Sequence, residues 1–574
     1  MTLLTNNAGL LIQGLVDTGI SYIFSNFGTD HVSIIEELAE WDAQGKAHPE
    51  IFLCPHENVA IHMAAGYAAI TGEGQAVMVH VDAGTANAVM GMHNMFRTRL
   101  PVLLMAGKAP FTIRGELKAS RDNYVHFVQD PFDMASLVRP YVKWEYNLPH
   151  GITTREVLRR AHSVMHSDPP GPVYLTLPRE TLADQTTSEQ LRSFDDSRYG
   201  SVQAQGIQSN LIKSIADTLM SAQTPVAITA YLGRNPEAVS ILEDLAMLCG
   251  IRIYEFNPSY NSVSRQSPCF AGFDTAQAVG LADVGLLLDV DVPWLPKFAP
   301  ADDSTKWIHI DIDTIKKDFP MWGFASDVRI QADCATVLAQ VAKYIRDNSD
   351  EGFHKKVEKR IKSWISDNEK RLQISRKSAQ TIGEIGEISA GYLCSVIGDN
   401  IDEQDIVVNE AIRNSLFVLQ QISRTKPKTL IGSAGGGLGF SGGMALGIKL
   451  AKPSVRVIQI VGDGSFHFST PTSVYATAQR YKLPIFTVVL DNGGWQAVKE
   501  AVLRVYPSGN AAQADQFQAR LQGQERHFEQ VAQAFGAYGE CVSDPKDLDA
   551  AVKRCVSEVD AGRSALLNVQ IGLQ

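Results

Sequence analysis

Two strand-like runs in the last third of the chain each end in residues that carry oxygen donors. The first run leads into Gly462-Asp463-Gly464-Ser465, and the second leads into Asp491-Asn492-Gly493-Gly494. Asp463 and Asn492 are separated by 29 positions, which is the length of one strand-helix-strand unit. Because the carboxyl ends of neighbouring parallel strands meet at one sheet edge, this spacing predicts that both side chains face the same crevice.

Hard oxygen donors of this kind suit Mg²⁺ with a diphosphate on its other side. We predict that the metal ligands are Asp463, Asn492 and the carbonyl of Gly494. Ser465 and the backbone amides after Gly464 would begin a helix, which favours phosphate binding, and the glycines let the backbone approach closely. The alternative is an ordinary strand-turn-helix in which the Asp and Ser side chains only cap the helix.

A competing ligand site is suggested by Gly437-Leu438-Gly439-Phe440-Ser441-Gly442, which matches the G-x-G-x-x-G dinucleotide pattern. It lies between a strand-like and a helical run, and Asp463 follows at about the spacing of a ribose-binding acid. An NAD site would leave Asn492 unexplained. We therefore favour the metal-diphosphate interpretation.

The length of 574 residues exceeds what one hydrophobic core supports. Three segments alternate strand-like and helical stretches, at residues 1–185, 205–345 and 378–574. This rhythm predicts an α/β fold of three domains, each with a mainly parallel sheet flanked by helices. A polar stretch from Asp184 to Asn210 reads as a linker, and the charged stretch from Glu351 to Lys377 reads as a solvated helix plus linker.

Composition excludes several classes of function. The formal charge of −11 argues against nucleic acid as a partner. The seven cysteines form no C-x-x-C pair, which argues against a zinc site or a disulfide framework and favours the reducing cytoplasm. No apolar run approaches the length of a membrane span, and the N-terminal apolar run lacks the features of a signal peptide.

The N-terminal segment carries a second motif, Pro55-His56-Glu57-Asn58, followed by a helical stretch rich in small residues. A glutamate at a helix start is often only a favourable charge for the helix dipole. Together with the Asp463/Asn492 pair, however, Glu57 resembles the thiamine-diphosphate (ThDP) enzymes, specifically the acetolactate synthase, pyruvate oxidase and 2-oxo acid decarboxylase group. The likeness covers nearly the whole chain, and it includes Ala83–Ala88 and Gly171-Pro172-Val173.

Within that group, the closest likeness is to benzoylformate decarboxylases. Val79–Ala88 resembles the family's segment with a catalytic histidine, which corresponds to His80, and Arg139–Trp144 resembles its R-P-L-V-K-W. Two departures concern the substrate: Ser267 replaces a second family histidine before Pro-Cys-Phe, and Thr29-Asp30-His31 replaces a family Gly-Ser. Asp30 falls where pyruvate decarboxylases carry a catalytic aspartate.

The resemblance implies pyrimidine-binding, central and diphosphate-binding domains in that order, with ThDP and Mg²⁺ as cofactors. Glu57 would contact the aminopyrimidine held by another subunit, so the active site would lie between subunits of a homo-oligomer, commonly a tetramer. His80, Asp30 and His31 are the acid–base candidates, and Val498, Ala501 and Ser267 are candidates for the substrate pocket. The cofactor-binding set would comprise Asn409, Glu410, Gly437, Leu438, Gly462, Asp463, Gly464, Ser465, Asn492, Gly494 and Trp495.

The expected reaction is non-oxidative C–C cleavage, most simply decarboxylation of an aromatic or branched 2-oxo acid, with carboligation to an aldehyde acceptor. The alternatives are an acetolactate-synthase-like transferase, a 2-hydroxyacyl-CoA lyase, an FAD-dependent oxidase and a nucleotide-binding protein without the reaction. The oxidase would need FAD in the central domain, and the segments Tyr231–Asn235 and Asn257–Gly272 lack the expected flavin-contacting pattern. FAD is therefore not expected.

Overall fold

The computed structural model describes residues 4–191, 202, 204–299, 303–521 and 526–572. Three six-stranded sheets dominate this range, and every strand pair within them is parallel. The predicted α/β fold with mainly parallel sheets is confirmed. Part of the predicted linker, at residues 192–201 and 203, lies outside the described residues.

The N-terminal sheet has the strand order β3-β2-β4-β5-β7-β6, and β1 and β8 form a separate antiparallel pair. Its strands are β1 (Leu4–Asn6), β2 (Tyr22–Ser25), β3 (Glu50–Leu53), β4 (Gln75–Val79), β5 (Val102–Lys108), β6 (Trp144–Asn147), β7 (Val173–Pro178) and β8 (Gln185–Thr187). Its helices are α1 (Asn7–Asp17), α2 (Val32–Gln44), α3 (Glu57–Thr71), α4 (Val81–Thr98), α5 (Val125–Val128), α6 (Thr154–His166) and α7 (Arg179–Ala183).

The central sheet has the order β11-β10-β9-β12-β13-β14. Its strands are β9 (Pro225–Thr229), β10 (Arg252–Glu255), β11 (Phe270–Gly272), β12 (Val284–Leu288), β13 (Lys306–Asp311) and β14 (Val328–Gln331). The helices are α8 (Ser209–Ser221), α9 (Pro236–Cys249), α10 (Thr275–Leu281), α11 (Cys334–Asn348) and α12 (Glu351–Ala379). All of β12 is buried, as expected for a strand covered on both faces by helices.

The C-terminal sheet has the order β18-β17-β19-β20-β22-β21, and β15 pairs with β16 beside it. The strands are β15 (Gly383–Glu384), β16 (Glu387–Ile388), β17 (Ile406–Glu410), β18 (Leu430–Ile431), β19 (Val457–Gly462), β20 (Phe486–Asp491), β21 (Tyr538–Val542) and β22 (Ala565–Gln570). The helices are α13 (Ala390–Asp399), α14 (Ser415–Gln421), α15 (Ser441–Ala451), α16 (Asp463–Phe468), α17 (Pro471–Tyr481), α18 (Gln496–Val505), α19 (Asn510–Gln513), α20 (Phe528–Gln533) and α21 (Leu548–Asp560).

Helix α12 differs from the solvated helix that its charged sequence predicts. One face is buried, because Phe353, Val357 and Trp364 pack into the core of the central domain. On the same helix, Lys356 Nζ donates to Ser221 O (3.1 Å) and Arg360 Nη1 donates to Cys249 O (2.9 Å). These cations thus lie at the C-terminal ends of α8 and α9, where the helix dipole favours positive charge.

Helices α3 and α15 join the N-terminal and C-terminal domains through an unusually close contact. A Cβ atom at Gly66 would lie 2.1 Å from Met444 O, and one at Gly447 would lie 2.0 Å from Met63 O. Both distances are far below a van der Waals contact, so each position accepts only glycine at this separation. The small residues of the two helices therefore set how closely the domains approach.

Two further findings concern the state of the cysteines and the search for membrane-spanning helices. The seven cysteines are all free thiols, and six of them are buried. Among the described residues, no helix is both long enough and apolar enough to cross a membrane.

Gly447→Ala should destabilise the protein, because the added methyl group forces α3 and α15 apart. We expect the free energy of unfolding to fall by about 1–3 kcal/mol. Gly280→Ala in α10 is the matched control, since a Cβ there meets open space and alanine favours a helix by about 0.5–1 kcal/mol. Urea unfolding followed by circular dichroism measures both; identical midpoints for the two variants would contradict the close contact.

Candidate active site

The carboxyl ends of β19 and β20 lie side by side, with Gly462 opposite Leu490 in the register. Helix α16 begins at Asp463 immediately after β19, and Asn492 follows β20 directly. The structure thus brings Asp463 and Asn492 to one sheet edge. The residue that precedes α16 is Gly462, so the Asp463 side chain is not the N-cap that the simpler alternative requires.

Asp463 is buried, and its two oxygens differ. Oδ1 accepts a hydrogen bond from Gly464 N (2.9 Å), whereas Oδ2 is buried without a partner. Burial, reinforced by the nearby Asp491 carboxylate, raises the pKa of Asp463 to about 7. A buried carboxylate oxygen without a donor is costly, and a cation at this position would remove the cost.

Asp491 is a site residue to which the sequence motifs assign no role. It is buried, and its Oδ1 accepts from Arg526 Nε (2.6 Å) and Gly493 N (3.1 Å), while Oδ2 has no partner. Burial raises the pKa of Asp491 despite the Arg526 guanidinium. The sequence signal for Asp491 is its place directly before Asn492, at the end of the second strand-like run.

Asn492 and Gly494 also keep acceptor capacity. Asn492 Oδ1 accepts from Gly494 N (3.2 Å), and Gly494 O accepts from Gln496 N (3.1 Å), so each oxygen retains a second lone pair. Within the described part of the chain, no group of three or more His, Cys, Asp or Glu side chains forms a metal site. The donor set is instead mixed: carboxylate, amide and backbone carbonyl, which suits Mg²⁺.

A cavity of about 260 Å³ opens beside these residues. Its polar wall includes Asp463, Ser465 and Asn492, and its apolar wall includes Leu438 and Val498. All of the lining residues belong to the C-terminal domain: Ala411, Ile412, Arg413, Asn414, Leu438, Gly462, Asp463, Gly464, Ser465, Phe468, Asn492, Gly494, Trp495, Gln496, Ala497 and Val498. Ala501, also predicted for the pocket, is exposed on α18 and is not part of this lining.

The Gly437–Gly442 loop does not offer its backbone to a nucleotide. Gly437 exchanges two hydrogen bonds with the Asn94 side chain, both at 3.0 Å. Glu410 accepts from the amides of Gly439 (2.5 Å) and Ser441 (2.9 Å), and burial raises the pKa of Glu410 to about 7. The amides that a diphosphate would need in a dinucleotide site are therefore engaged by the protein, and the loop instead carries Leu438 to the cavity.

Asn409 and Ser267 are not among the residues that line this cavity. Asn409 Oδ1 accepts from Ala411 N (3.1 Å) at the start of the next turn. Ser267 lies in the loop between β10 and β11 of the central domain, where its amide donates to Ser264 O (3.0 Å) and its carbonyl accepts from Phe270 N (3.1 Å). Within one chain, the structure does not bring Ser267 to the cavity lining.

A second cluster forms in the N-terminal domain around Asp30 and His80. Asp30 is buried just after β2, and His80 follows β4, so neighbouring strands again deliver both side chains. His80 Nδ1 is hydrogen-bonded to Asp30 Oδ1. That bond raises the pKa of His80. Burial alone would raise the pKa of Asp30, but the hydrogen bond with His80 and the nearby His31 ring hold it below its usual value.

His31 has a different environment from His80. It is fully buried, Nδ1 accepts from Gly28 N (3.0 Å), and Nε2 lies 3.5 Å from Asp30 Oδ2. Burial lowers the pKa of His31, so this ring is neutral near pH 7. We therefore regard His31 as a support for Asp30, and His80 as the titrating member of the cluster.

Two glycines make room for the Asp30–His80 pair. A Cβ atom at Gly28 would lie 2.0 Å from His80 Nδ1, and one at Gly107 would lie 1.5 Å from Asp30 Oδ2. Gln129 completes the cluster, because its Oε1 lies 3.0 Å from His80 Nε2. Gln129 was missed from the sequence, since it follows the short helix α5 in an irregular segment with no pattern of its own.

Glu57 lies at the start of α3, close to this cluster. Its Oε2 accepts from Asn87 Nδ2 (3.0 Å), and a Cβ atom at Gly84 would lie 3.2 Å from its Oε1. His56 caps the helix, with Nδ1 accepting from Asn58 N (3.0 Å), so Glu57 is not needed as the cap. Its partners are N-terminal residues, whereas the Asp463 cavity is lined by C-terminal residues.

The sequence matches two family models. Residues 5–137 match the thiamine pyrophosphate enzyme N-terminal TPP binding domain, and residues 413–569 match the thiamine pyrophosphate enzyme C-terminal TPP binding domain. Together the matches cover about half of the chain, and they include both clusters described above.

Similar proteins extend the match to the full length. The acetolactate synthase isozyme 3 large subunit of Escherichia coli (strain K12) is 24% identical and covers 99% of this chain and 95% of its own length. Acetolactate synthase of Bacillus subtilis (strain 168) is 23% identical and covers 94% of this chain and 89% of its own.

Solved structures share the fold. The thiamine diphosphate-dependent 4-hydroxybenzoylformate decarboxylase of Rhodococcus jostii RHA1 superposes with a TM-score of 0.75 at 19% identity, covering 99% of this chain and 100% of its own. Benzoylformate decarboxylase from Polynucleobacter necessarius gives a TM-score of 0.77 at 16% identity, covering 99% and 98%.

Asp30→Asn should lower the pKa of His80, because the amide cannot supply the negative charge that stabilises the imidazolium. Histidine NMR titration measures the shift, with His80→Gln identifying the resonance. In the wild type, the Asp30–His80 pair stabilises the folded protein fully below a pH of about 6.5, the pKa of a histidine in the unfolded chain. This stabilisation is lost as the pH rises through the higher pKa of His80 in the folded protein. An unchanged His80 titration in Asp30→Asn would contradict the pairing.

Proposed function

The chain belongs to the thiamine pyrophosphate enzymes of the acetolactate synthase and decarboxylase group, and we propose that it is a non-oxidative C–C lyase acting on a 2-oxo acid. The observation that carries this proposal is the Asp30–His80 pair next to Glu57. Decarboxylation ends in protonation of a carbanion, which requires a donor that titrates near or above neutral pH. His80, with its raised pKa, meets that requirement.

ThDP supplies an electron sink that accepts the electrons left behind when CO₂ departs. The residues present fit this cofactor with Mg²⁺, because Asp463 and Asp491 each have a buried oxygen without a hydrogen-bond partner, and a cation beside them would offset the cost of burying that charge. Asp463, Asn492 and the Gly494 carbonyl would hold the metal, and Gly464 and Ser465 would lie beside the diphosphate. The Asp491 carboxylate would add negative charge close to the metal, offset in part by Arg526.

The residues of the chain would have separate roles in binding the cofactor and in moving the proton. Glu57, oriented by Asn87, would hydrogen-bond the aminopyrimidine, and Leu438 would support the cofactor from the apolar wall of the cavity. Asp30 would hold the His80 ring and stabilise its charged form, while Gln129 would fix the second ring nitrogen. His80 would deliver the proton that completes the aldehyde product.

We propose that two subunits build each active site, in an oligomer of at least two chains and commonly four. In one chain, Glu57 bonds within the N-terminal domain, and the Asp463 cavity is lined by the C-terminal domain. Exposed apolar side chains surround both halves: Phe127 and Val128 near Gln129, and Phe468 and Trp495 at the cavity. Contact between copies of the chain would cover these surfaces.

The substrate class follows from the walls of the cavity. Val498 is small and lines the cavity, which supports an aromatic or branched 2-oxo acid as the substrate. An aldehyde acceptor would allow carboligation. The free cysteines are consistent with a cytoplasmic setting, which we propose as the location.

Acetolactate-synthase-like transfer to a second 2-oxo acid is the alternative, and the names of the full-length relatives favour it. A CoA-dependent lyase would need basic residues free to bind CoA. Two basic residues on α12, Lys356 and Arg360, instead bond to the helix ends of α8 and α9.

Glu57→Gln should lower ThDP-dependent turnover by at least two to three orders of magnitude, because the neutral amide cannot serve as the proton acceptor for the pyrimidine. The fold should be unchanged, since His56 caps α3. Exposed Glu73→Gln is the control. Full activity of Glu57→Gln, measured by CO₂ release with ThDP and Mg²⁺, would exclude the proposed role.

Mixing two inactive variants tests the shared site. In a mixed dimer of Glu57→Gln and Asp463→Asn chains, one site carries both substitutions and the other carries neither. Random reassortment should therefore restore about a quarter of wild-type activity. If each site lies within one chain, every site in the mixture carries one substitution, and activity stays at the level of the separate variants.

A substrate screen separates decarboxylation from transfer. Aliphatic and aromatic 2-oxo acids are supplied singly and in pairs, and products are identified by mass spectrometry. An aldehyde with one CO₂ per substrate supports the lyase. A 2-hydroxy-3-oxo acid from two substrate molecules as the main product would replace it with the transferase.

A further inference from the structure

The central sheet has the strand order found in dinucleotide-binding folds: third, second, first, fourth, fifth and sixth strand in sequence. In such sheets, the ligand binds at the carboxyl ends of the strands where the order reverses, which here lies between β9 and β12. A flavin or nicotinamide dinucleotide would therefore be expected against the turns that follow these two strands.

In this protein an ammonium group occupies that crevice. Lys316 Nζ lies 2.9 Å from each of three oxygens: Tyr231 Oη after β9, Asp291 Oδ1 after β12 and Asp311 Oδ2 at the end of β13. Lys316 is 1% exposed, so the three protons of its ammonium group are matched by three acceptors inside the fold. Tyr231 Oη in turn donates to Asp311 Oδ1 (2.6 Å).

A second cation enters the crevice from the N-terminal domain. Arg99 follows the C-terminal end of α4, and its guanidinium donates to both oxygens of Asp291, at 2.7 and 3.1 Å. It also reaches Asp313 Oδ2 (3.3 Å) and lies over the Tyr231 ring, 4.3 Å from the centroid. Bidentate pairing and stacking make this contact specific for arginine.

The backbone at Arg99 directs its side chain away from the end of α4. Arg99 is the left-handed C-cap residue of this helix, with φ = 58° and its backbone N–H bonded to Phe96 O. The chain therefore turns at the residue whose guanidinium reaches Asp291.

The turn after β9 is also unsuited to a pyrophosphate. Dinucleotide folds place glycines there so that the phosphates approach the backbone. This chain has Ala230 and the buried Tyr231 directly after the strand, and the glycine of the turn, Gly233, packs against the protein itself, since a Cβ there would lie 2.3 Å from Asn261 O. The acids around the crevice are Asp289, Asp291, Asp311 and Asp313, against the cations Lys316, Arg99 and Arg234. A diphosphate would therefore enter a site whose cations are already paired with carboxylates.

We propose that Lys316 and Arg99 occupy the place of a dinucleotide, so that the central domain takes no flavin or nicotinamide dinucleotide and serves as a clamp on the N-terminal domain. Arg99 is the residue that joins the two domains in this cluster. The proposal is independent of the reaction at the Asp463 site, since neither lyase nor transferase chemistry consumes a dinucleotide.

Ligand binding is the first test. The full-length chain, loaded with ThDP and Mg²⁺, is titrated by calorimetry with FAD, NAD⁺ and ADP in separate experiments. Ligand concentrations reach about 1 mM, so that even a weak complex with a dissociation constant of about 1 mM is detected. We expect no saturable heat and no flavin absorption in the purified protein. Stoichiometric bound flavin, or saturable binding of FAD or NAD⁺, would overturn the proposal; saturable binding of ADP alone would overturn it as well.

Paired lysine variants test the clamp. Lys316→Met removes the cation from two buried carboxylates, and we expect the melting temperature to fall by on the order of 10 °C. The adjacent Lys317 is exposed, so Lys317→Met should shift the melting temperature by no more than about 1 °C. Equal shifts in the two variants would refute a role for the Lys316 cluster.

Arg99→Lys supplies the interdomain readout and is mild enough to fold. It keeps the charge but loses the bidentate contact with Asp291, so hydrogen exchange should accelerate together at the end of α4 and in the turn after β12. The rate in β21, remote from the cluster, is the internal control. Unchanged exchange at both ends of the contact would show that Arg99 does not clamp the domains.

Discussion

Burial of carboxylates inside parallel α/β sheets governs the layout of this protein. Parallel strands deliver polar side chains to their carboxyl ends, and the helices that cover the sheet exclude water from them. Each buried carboxylate then requires a donor or a cation. Glu410 accepts hydrogen bonds from backbone amides of the glycine loop, Asp30 is hydrogen-bonded to His80, and Asp311 pairs with Lys316.

The chain itself supplies a hydrogen-bond donor or a cation for only some of the buried carboxylate oxygens. Asp463 and Asp491 each keep one buried oxygen without a hydrogen-bond partner, at the edge where Asn492 and Gly494 add further acceptors. In the central cluster, Lys316 and Arg99 supply the positive charge that Asp291 and Asp311 require, whereas at this edge we propose that a bound cation supplies it. The two clusters differ in how their carboxylates are paired. Lys316 and Arg99 bond Asp291 and Asp311, whereas at the Asp463 edge Arg526 bonds Asp491 Oδ1 and the Oδ2 atoms of Asp463 and Asp491 have no hydrogen-bond partner.

The close contact of α3 with α15 explains how the remaining parts are arranged. Glycines at positions 66 and 447 let the helix that begins at Glu57 lie directly against the helix that follows the Leu438 loop. That contact fixes the domains within one chain, in which Glu57 bonds to Asn87 and the cavity is lined by residues of the C-terminal domain. The geometry of a single chain is thus consistent with an active site completed by a second one.

The sequence by itself determined the fold class and the family, because strand and helix periods and the spacing of Asp463 from Asn492 are local properties of the chain. It also brought forward Glu57 and His80, through motifs that span only a few residues. It did not identify Gln129, Asp491 or the Lys316 cluster, and it described α12 as solvated although one face is buried. Those features depend on which side chains meet across domains, and on whether a buried charge finds its counter-charge there. Only the tertiary structure decides that, since electrostatic pairing and close packing are set by distance in space rather than by position along the chain.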